Sequence, residues 1–194
     1  MMNIWQKSLI ALVGASLIGC ATVPETQKQV ANWESHQQTI MNIRNWQATG
    51  KASVRNSEEA STLSIDWQRQ GVRDQVVLTG QLGIGRAELE GSGNSYVLKA
   101  NGEEYPASSL SEMGAMLFTP ALPLNEIGFW IRGIPAPNQP FIAEYNELGL
   151  LGRLEQAGWE IEYERYQGDQ PPLPDKLTIT QDDAVAKIIV REWQ

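Results

Sequence analysis

The sequence predicts a mainly β domain of the α+β class: a curved antiparallel sheet of about eleven strands that forms an incomplete barrel, with helices covering an apolar cavity. Three observations predict this fold. Short alternating segments separated by turn signals follow one another along most of the chain. Helical periodicity is confined to one segment at the start and another in the middle. A long, twisted meander tends to curl towards a barrel, and two separated helical segments can cover its open face.

The strand patterns are short runs in which apolar and polar residues alternate. The run Trp159–Glu164 is the clearest, because one face is entirely apolar or aromatic and the other is entirely acidic. Asn101-Gly102 is typical of a tight hairpin turn. The predicted strands cover residues 46–54, 62–67, 72–79, 86–90, 96–100, 103–105, 140–145, 149–155, 158–166, 175–181 and 184–192. Since nearly all follow in meander order, the predicted sheet is antiparallel.

The helical segments are recognised by apolar residues at helical spacing and by their end signals. The first helix is predicted at about residues 28–42. The second begins at a capping box formed by Ser109 and Glu112 and is stopped by Pro120. A short third helix is predicted over about residues 124–131.

The first twenty residues have the organisation of a lipoprotein signal peptide. Lys7 provides a short positive region, and residues 9–18 form an apolar run too short to span a bilayer. The run ends in Leu17-Ile18-Gly19-Cys20, the pattern that the lipoprotein signal peptidase cuts, so we predict that Cys20 carries lipid. An ordinary secretory signal with a chance cysteine is the alternative, and a lone thiol in an oxidising compartment argues against it. The residue after Cys20 is Ala21 and not the aspartate that retains lipoproteins in the inner membrane. This predicts a lipid-anchored, periplasm-facing protein of the outer membrane.

Removal of residues 1–19 leaves one domain of ordinary size. We expect residues 20–28 to be a lipidated N-terminus and polar tether, and residues 29–194 to form a single binding domain. The whole chain has a formal net charge of −8, and the loss of Lys7 makes the mature chain −9. This acidity disfavours nucleic acid and anionic headgroups as partners. No later segment is long and apolar enough to span a membrane, so membrane contact is expected from lipid or from a small apolar protrusion.

Nothing in the sequence indicates catalysis or a bound cofactor. His36 is the only histidine, and we expect it at the surface or at a helix cap. A catalytic triad would need a nucleophile activated by His36, and the sequence has no Gly-x-Ser-x-Gly elbow. Zinc would need several histidine or cysteine ligands, and the chain offers one histidine after the lipidated cysteine. Gly80-x-x-Gly83-x-Gly85 lacks the spacing and the following helix of a nucleotide-binding loop. We therefore predict no enzymatic activity, no catalytic residues, no metal and no cofactor.

The mature chain carries a series of short motifs in a fixed order: Trp33-x-x-His36-Gln37-Gln38, Leu78-Thr79-x-x-Leu82-Gly83, Glu88-Leu89-Glu90, Glu112-Met113, Pro123-Leu124, Trp130-Ile131-x-Gly133-x-Pro135, Gly158-Trp159 and Pro174. In that order and spacing, behind the cysteine motif, they resemble the LolB family over about residues 30–193. The resemblance implies a curved antiparallel sheet with helices over its concave face. It also implies an apolar cavity that accepts the acyl chains of lipoproteins from a soluble, LolA-like periplasmic carrier, with no enzymatic step. Family members often have Asn-Pro before the loop leucine, and Gly80-Gln81 in this chain predicts a more flexible loop.

Leu82, assisted by Ile84, is predicted to contact the membrane. The two large apolar residues lie in a run with three glycines, which makes a poor strand interior and a good projecting loop. A leucine tucked into the core beneath a tight turn is the alternative. The resemblance to the LolB family favours exposure.

An apolar interior that binds acyl chains is the second predicted site. Its candidate lining residues are Trp46, Leu63, Ile65, Trp67, Met113, Met116, Leu117, Ile127 and Trp130, and an ordinary core position is the alternative for each. The predicted function is to accept acylated lipoproteins from the carrier and to insert them into the outer membrane without nucleotide, as a monomer. The main alternative is an outer membrane lipoprotein that binds free lipid or lipopolysaccharide, or that serves as an assembly factor. A lipoprotein enzyme with a dispersed site is a third class, which the lone histidine disfavours.

Overall fold

The structure is a computed structural model that describes residues 32–80 and 85–194. Its helices are α1 (Trp33–Asn42), α2 (Leu110–Leu117) and α3 (Leu124–Trp130). Its strands are β1 (Asn45–Arg55), β2 (Ala60–Gln70), β3 (Arg73–Gly80), β4 (Arg86–Ser92), β5 (Ser95–Ala100), β6 (Glu103–Ala107), β7 (Phe141–Tyr145), β8 (Leu151–Gln156), β9 (Trp159–Gln167), β10 (Leu173–Gln181) and β11 (Ala184–Trp193). Every strand predicted from the alternating pattern is present within three residues of its expected bounds.

All eleven strands belong to one antiparallel sheet, in the order β6-β5-β4-β3-β2-β1-β11-β10-β9-β8-β7. The first and last strands of the chain, β1 and β11, pair at its centre, where Lys51 lies opposite Ile189. The edges are therefore β6 and β7, and within the described residues neither pairs with a second strand. Because β6 and β7 are consecutive along the chain, the segment that carries α2 and α3 has to connect the two edges across the open side. This confirms the predicted incomplete barrel.

The core lies on the concave side of the sheet, where alternate residues of each strand point. Strands on both halves of the sheet contribute fully buried side chains, among them Leu89, Leu154, Ile161, Leu177 and Ile179. Burial of each such side chain contributes about 1.5–3 kcal/mol to stability. The alternation predicted for β9 is confirmed, since Trp159, Ile161 and Tyr163 are buried and the intervening glutamates are not.

The helices α1 and α2 begin where polar side chains satisfy free backbone amides. Asn32 caps α1 by accepting a hydrogen bond from the Ser35 amide at 3.2 Å. The Ser109 hydroxyl caps α2 by accepting from the Glu112 amide at 3.1 Å. The Glu112 carboxylate accepts from the Ser108 amide, one residue beyond the position expected for a capping box.

A close approach of the two central strands requires glycine in β1. The register between β1 and β11 shifts between Thr49 and Gly50. A Cβ atom at Gly50 would clash with the carbonyl oxygen of Ile189. The irregularity bends the middle of the sheet, which gives the concave face its curvature.

Candidate functional site: an apolar space beneath the third helix

An apolar space of about 40 Å³ lies between the concave face of the sheet and the segment that carries α3. Its floor is formed by Ala52, Val54, Leu63, Ile65, Trp67, Val76, Leu78, Ala186 and Ile188, and its roof by Phe118, Leu122, Leu124, Ile127 and Ile131. None of the described side chains that line it is charged. Such a lining offers no partner to water or to a polar ligand and suits hydrocarbon.

The space exists because small and large residues alternate across neighbouring strands. Ala52 of β1 lies opposite Ile188 of β11, and Val54 lies opposite Ala186. The two alanines leave room at the centre of the sheet. The roof packs closely at one end, where a Cβ atom at Gly128 of α3 would lie 3.1 Å from the Trp67 ring. Trp67 therefore bounds the space at the end where α3 packs closely on it.

A buried polar cluster borders Trp67. Asp74 is fully buried and accepts hydrogen bonds from the Trp67 indole at 3.1 Å and from the Arg69 guanidinium at 2.9 and 2.6 Å. Burial, together with the negative charge of Asp74, raises the pKa of the nearby Tyr96 hydroxyl. The cluster fixes the orientation of the Trp67 ring that closes this end of the apolar space.

Arg132 is a second buried charge and joins two helices. Its guanidinium donates to the carbonyl oxygen of Gly128 at 3.0 Å and to that of Ile40, near the end of α1, at 3.2 Å. It also lies over the rings of Trp46 and Phe129, at 5.5 and 5.3 Å from their centroids. Burial lowers the pKa of Arg132 to about 10, so the side chain remains charged at neutral pH. The sequence offered little signal for this role beyond a charge inside an apolar stretch, 130–134.

The structure brings four of the nine candidate lining residues to the apolar space: Leu63, Ile65, Trp67 and Ile127. The other five lie elsewhere. Trp46 packs at a tilt against Trp67 and edge-on against Trp193, Met113 is buried in α2, and Leu117 packs on the core. Trp130 is buried and donates from its indole to Gln156. Met116 is 47% exposed, since it points away from the sheet on the short helix α2.

The other ten lining residues were not identified as candidates from the sequence. They lie on the inward positions of β1, β3 and β11 and around α3, and the alternating pattern places the strand residues on the concave face. The alternating pattern does not predict the position of the roof. That position depends on how the segment between the two sheet edges crosses the open side.

Cys20, Leu82 and Ile84 lie outside the described residues. The base of the segment that contains Leu82 is described: the Gly80 amide donates to the Gly85 carbonyl at 2.9 Å. Gly80 also pairs with Leu63 across β2 and β3. Because Leu63 lines the apolar space, that space reaches the end of the sheet where Gly80 lies.

His36 does not occupy the surface or capping position expected from the sequence. Its side chain is buried in α1, with its ring 5.8 Å from that of Trp33. Nε2 has no hydrogen-bond partner among the described residues, and burial lowers the pKa of the imidazole. The expectation was wrong because α1 packs against the domain through this face. Across residues 32–80 and 85–194 no group of three or more potential metal ligands occurs.

A family model described as outer membrane lipoprotein LolB matches residues 44–193. The chain belongs to the LolB family. The LolB proteins of Marinobacter nauticus and Francisella tularensis are each 32% identical to it. The alignment covers 95% of both chains in the first case, and 96% of this chain and 93% of the relative in the second. As a family member, the chain is an outer membrane lipoprotein with a receptor role in lipoprotein localisation, and not an enzyme.

Solved structures with a similar fold include a LolA superfamily protein from Nitrosomonas europaea. Its TM-score is 0.54 at 10% identity, over 83% of this chain and 92% of that protein. A DUF1329 family protein from Desulfovibrio piger gives a TM-score of 0.54 at 8% identity, over 87% of this chain and 93% of that one. At these identities the likeness concerns the fold alone. Among the described helices of this LolB-family chain, none has the length and apolar character needed to cross a membrane.

Proposed function

We propose that the chain accepts acylated lipoproteins from a soluble, LolA-like periplasmic carrier and inserts them into the outer membrane, with the acyl chains passing through the space beneath α3. The observation that carries the proposal is the uncharged, wholly apolar lining of that space. Family membership supports a place in lipoprotein trafficking, and the carrier and the route of the acyl chain are the proposed part.

The space has to enlarge before a complete acyl chain fits. A methylene group is about as large as a water molecule, and a group of that size needs roughly 10–15 Å³ of cavity volume, so a sixteen-carbon chain needs on the order of 200 Å³. The space measures about 40 Å³, which is room for about three such groups. The strands of the floor are held by the ladders of the sheet, whereas α3 is a short helix of seven residues. We infer that α3 and its flanking segments move away from the sheet as the acyl chain binds.

The energetics of this hand-off require no nucleotide. Burial of one methylene group is worth about 0.8 kcal/mol, so a sixteen-carbon chain is worth on the order of 12 kcal/mol, and its passage through water is prohibitive. An apolar protein interior replaces the membrane at each stage. Direction then follows from affinity, with the receptor binding the acyl chain more tightly than the carrier and the bilayer binding it more tightly still.

We propose that Cys20 anchors the mature chain, that residues 1–19 are the removed signal peptide, that residues 20–28 form the tether and that residues 29–194 form one lipoprotein-binding domain. The sequence Leu17-Ile18-Gly19-Cys20 supports this processing. Mass spectrometry of the protein purified from outer membranes should show an acylated N-terminal cysteine. An unmodified Cys20 in the membrane fraction would overturn the anchor.

The proposed function is tested by binding and transfer in one preparation. A fluorescent fatty acid should bind the domain and be displaced by an acylated lipoprotein, but not by the same lipoprotein without its acyl chains. The carrier loaded with lipoprotein should then transfer its cargo to the domain. Displacement by free phospholipid or lipopolysaccharide, without acceptance of lipoprotein from the carrier, would favour the lipid-binding alternative instead.

A further inference from the structure

We propose that the free edge of β7 is the docking site for the carrier, which adds one of its own basic, extended segments to the sheet as a twelfth strand. The inference rests on the proposed function, since it names the place where the delivering partner binds. It concerns a surface separate from the apolar space beneath α3.

The two edges of the sheet differ in how they are protected. Edge strands expose unpaired backbone groups, and proteins usually guard them with proline, with charged side chains or by keeping them short. β6 carries Pro106, which lacks a backbone donor, and it begins with Glu103 and Glu104. β7 has the sequence Phe-Ile-Ala-Glu-Tyr; it is as short as β6 and carries one charged residue, Glu144, but it contains no proline and its other four side chains are apolar or aromatic. Its register with β8 shifts only at the end, between Glu144 and Tyr145, so four consecutive residues remain regular.

The side chains of β7 are unusually exposed for their type. Phe141 is 43% exposed, Ile142 is 65% exposed and Tyr145 is 50% exposed, although Tyr145 also packs its ring against Trp33. They account for three of the eight large apolar side chains that are exposed in the described part of the chain. A strand that joined this edge would cover apolar surface on both faces while pairing its backbone, which is the mode called β-augmentation.

The charge beside this edge selects a basic partner. An open groove of about 540 Å³ runs from Ile142 to the turn between β10 and β11, and its lining includes Glu155, Glu160 and Asp182 but no lysine or arginine. The nearby Arg153 is shared among Glu144, Glu155 and Glu160, so the carboxylates exceed the cations. A second copy of this acidic chain would bring like charges together, whereas a segment with lysine or arginine side chains would neutralise them.

The position of the edge suits the transfer of an acyl chain. Ala143 of β7 lies opposite Leu154 of β8, and Leu154 is fully buried on the concave side. Phe141 and Tyr145 share the face of Ala143 by strand alternation. A strand added to β7 therefore continues the concave apolar face of the sheet into the partner.

Ile142→Lys tests the docking site, with Ile189→Lys as its matched control. Both isoleucines are exposed, but Ile189 lies on β11 at the centre of the sheet. A lysine on an edge blocks strand pairing and repels a basic partner. We expect Ile142→Lys to weaken binding of the cargo-free carrier to the full-length, lipidated chain in phospholipid vesicles by at least about tenfold, and Ile189→Lys to change it by less than about twofold. Higher ionic strength should weaken the wild-type complex.

A photo-cross-linking amino acid at position 142 identifies the occupant. We expect a cross-link to an extended, lysine- or arginine-containing segment of the carrier, and none from position 189. Carrier binding that Ile142→Lys leaves unchanged, or a cross-link from position 142 to a second copy of the chain, would overturn the proposal. The binding assay uses a cargo-free carrier and therefore tests the docking site independently of transfer. Binding through β7, together with no lipoprotein transfer in a separate assay, would support the docking site and contradict only the proposed function.

Discussion

Ala48 and Ala52 lie on the same face of β1 and are both buried, but only Ala52 lines the apolar space. Ala52→Val adds two methyl groups to the floor of that space. We expect the free energy of unfolding to change by less than about 1.5 kcal/mol, because the new groups occupy empty volume. The affinity for a fluorescent acyl chain should fall about tenfold, which corresponds to two methylene groups displaced at about 0.8 kcal/mol each. Urea unfolding measures the free energy of unfolding, and isothermal titration measures the affinity for the acyl chain.

Ala48→Val is the control for this experiment. Ala48 lies opposite Trp67 in the register of β1 and β2 and is not among the described residues that line the space. The larger side chain should destabilise the domain by about 1–3 kcal/mol through overpacking. Acyl-chain affinity of the folded protein should remain at the wild-type level. An equal loss of affinity in both variants would show that acyl chains do not use the space above Ala52.

Leu82 is the residue that we propose to contact the membrane. Leu82→Glu should change the free energy of unfolding by less than about 0.5 kcal/mol if the side chain is exposed, and should cost several kcal/mol if it is buried. In the exposed case the variant should accept lipoprotein from the carrier normally and insert it poorly into liposomes. Melting curves beside separate acceptance and insertion assays distinguish these outcomes. A stable variant with normal insertion would remove Leu82 from the mechanism.

Among the elements, helix α1 should make the stability of the domain depend on pH, because it contains His36, the only histidine of the chain. Burial lowers its pKa in the folded state, whereas an unfolded chain has a histidine pKa near about 6.5. As the pH falls through about 6.5, the unfolded state therefore takes up a proton before the folded state does, and the stability present above that pH is lost. We expect the free energy of unfolding to decrease between about pH 7.5 and about pH 5.5, and this decrease to be largely absent in His36→Phe.

Titration of the carboxylates with shifted pKa values does not interfere with this measurement of stability against pH. The side chains of Glu90, Glu112, Glu164 and Asp183 have lowered pKa values, chiefly through hydrogen bonds, so they titrate below the ordinary carboxylate range. Their contribution to stability is present at higher pH and is lost only in stronger acid. Urea unfolding of the two proteins at several pH values measures the difference. A parallel decrease in wild type and His36→Phe would show that His36 is not the titrating group.

The elements were more predictable from sequence than the site. Strands such as β9 follow a period of two that burial on one face imposes, and the capping box at Ser109 marks the start of α2 directly. The placement of His36 and Arg132 was not predictable, because both depend on α1 packing against the end of α3. Met116 satisfies helical spacing yet is exposed, since a helix of eight residues buries only one narrow stripe. Local pattern thus fixes which elements form, and long-range packing decides which residues meet.

At the scale of the whole molecule, the sheet and the crossing segment have different parts in the proposed transfer. The eleven strands form a continuous hydrogen-bonded ladder that resists local opening, whereas α3 is held by side-chain packing and by the Arg132 contacts. A rigid floor with a movable roof allows the interior to enlarge without unfolding. Such a device can exchange an acyl chain with a neighbouring apolar interior, and the exchange is reversible because no chemical energy is spent on it.

Transfer of lipoprotein between carrier and receptor should be reversible, because it uses no chemical energy. When equal amounts of carrier and receptor are mixed without nucleotide, acylated lipoprotein should distribute mostly to the receptor. The same final distribution should be reached whether the cargo starts on the carrier or on the receptor. Each tenfold preference corresponds to about 1.4 kcal/mol of differential affinity, so Ala52→Val, which weakens acyl binding, should shift the distribution towards the carrier by the same factor. Separation of the two proteins followed by quantification of bound lipoprotein measures it. Distributions that depend on the starting point or on added ATP would contradict transfer driven by affinity alone.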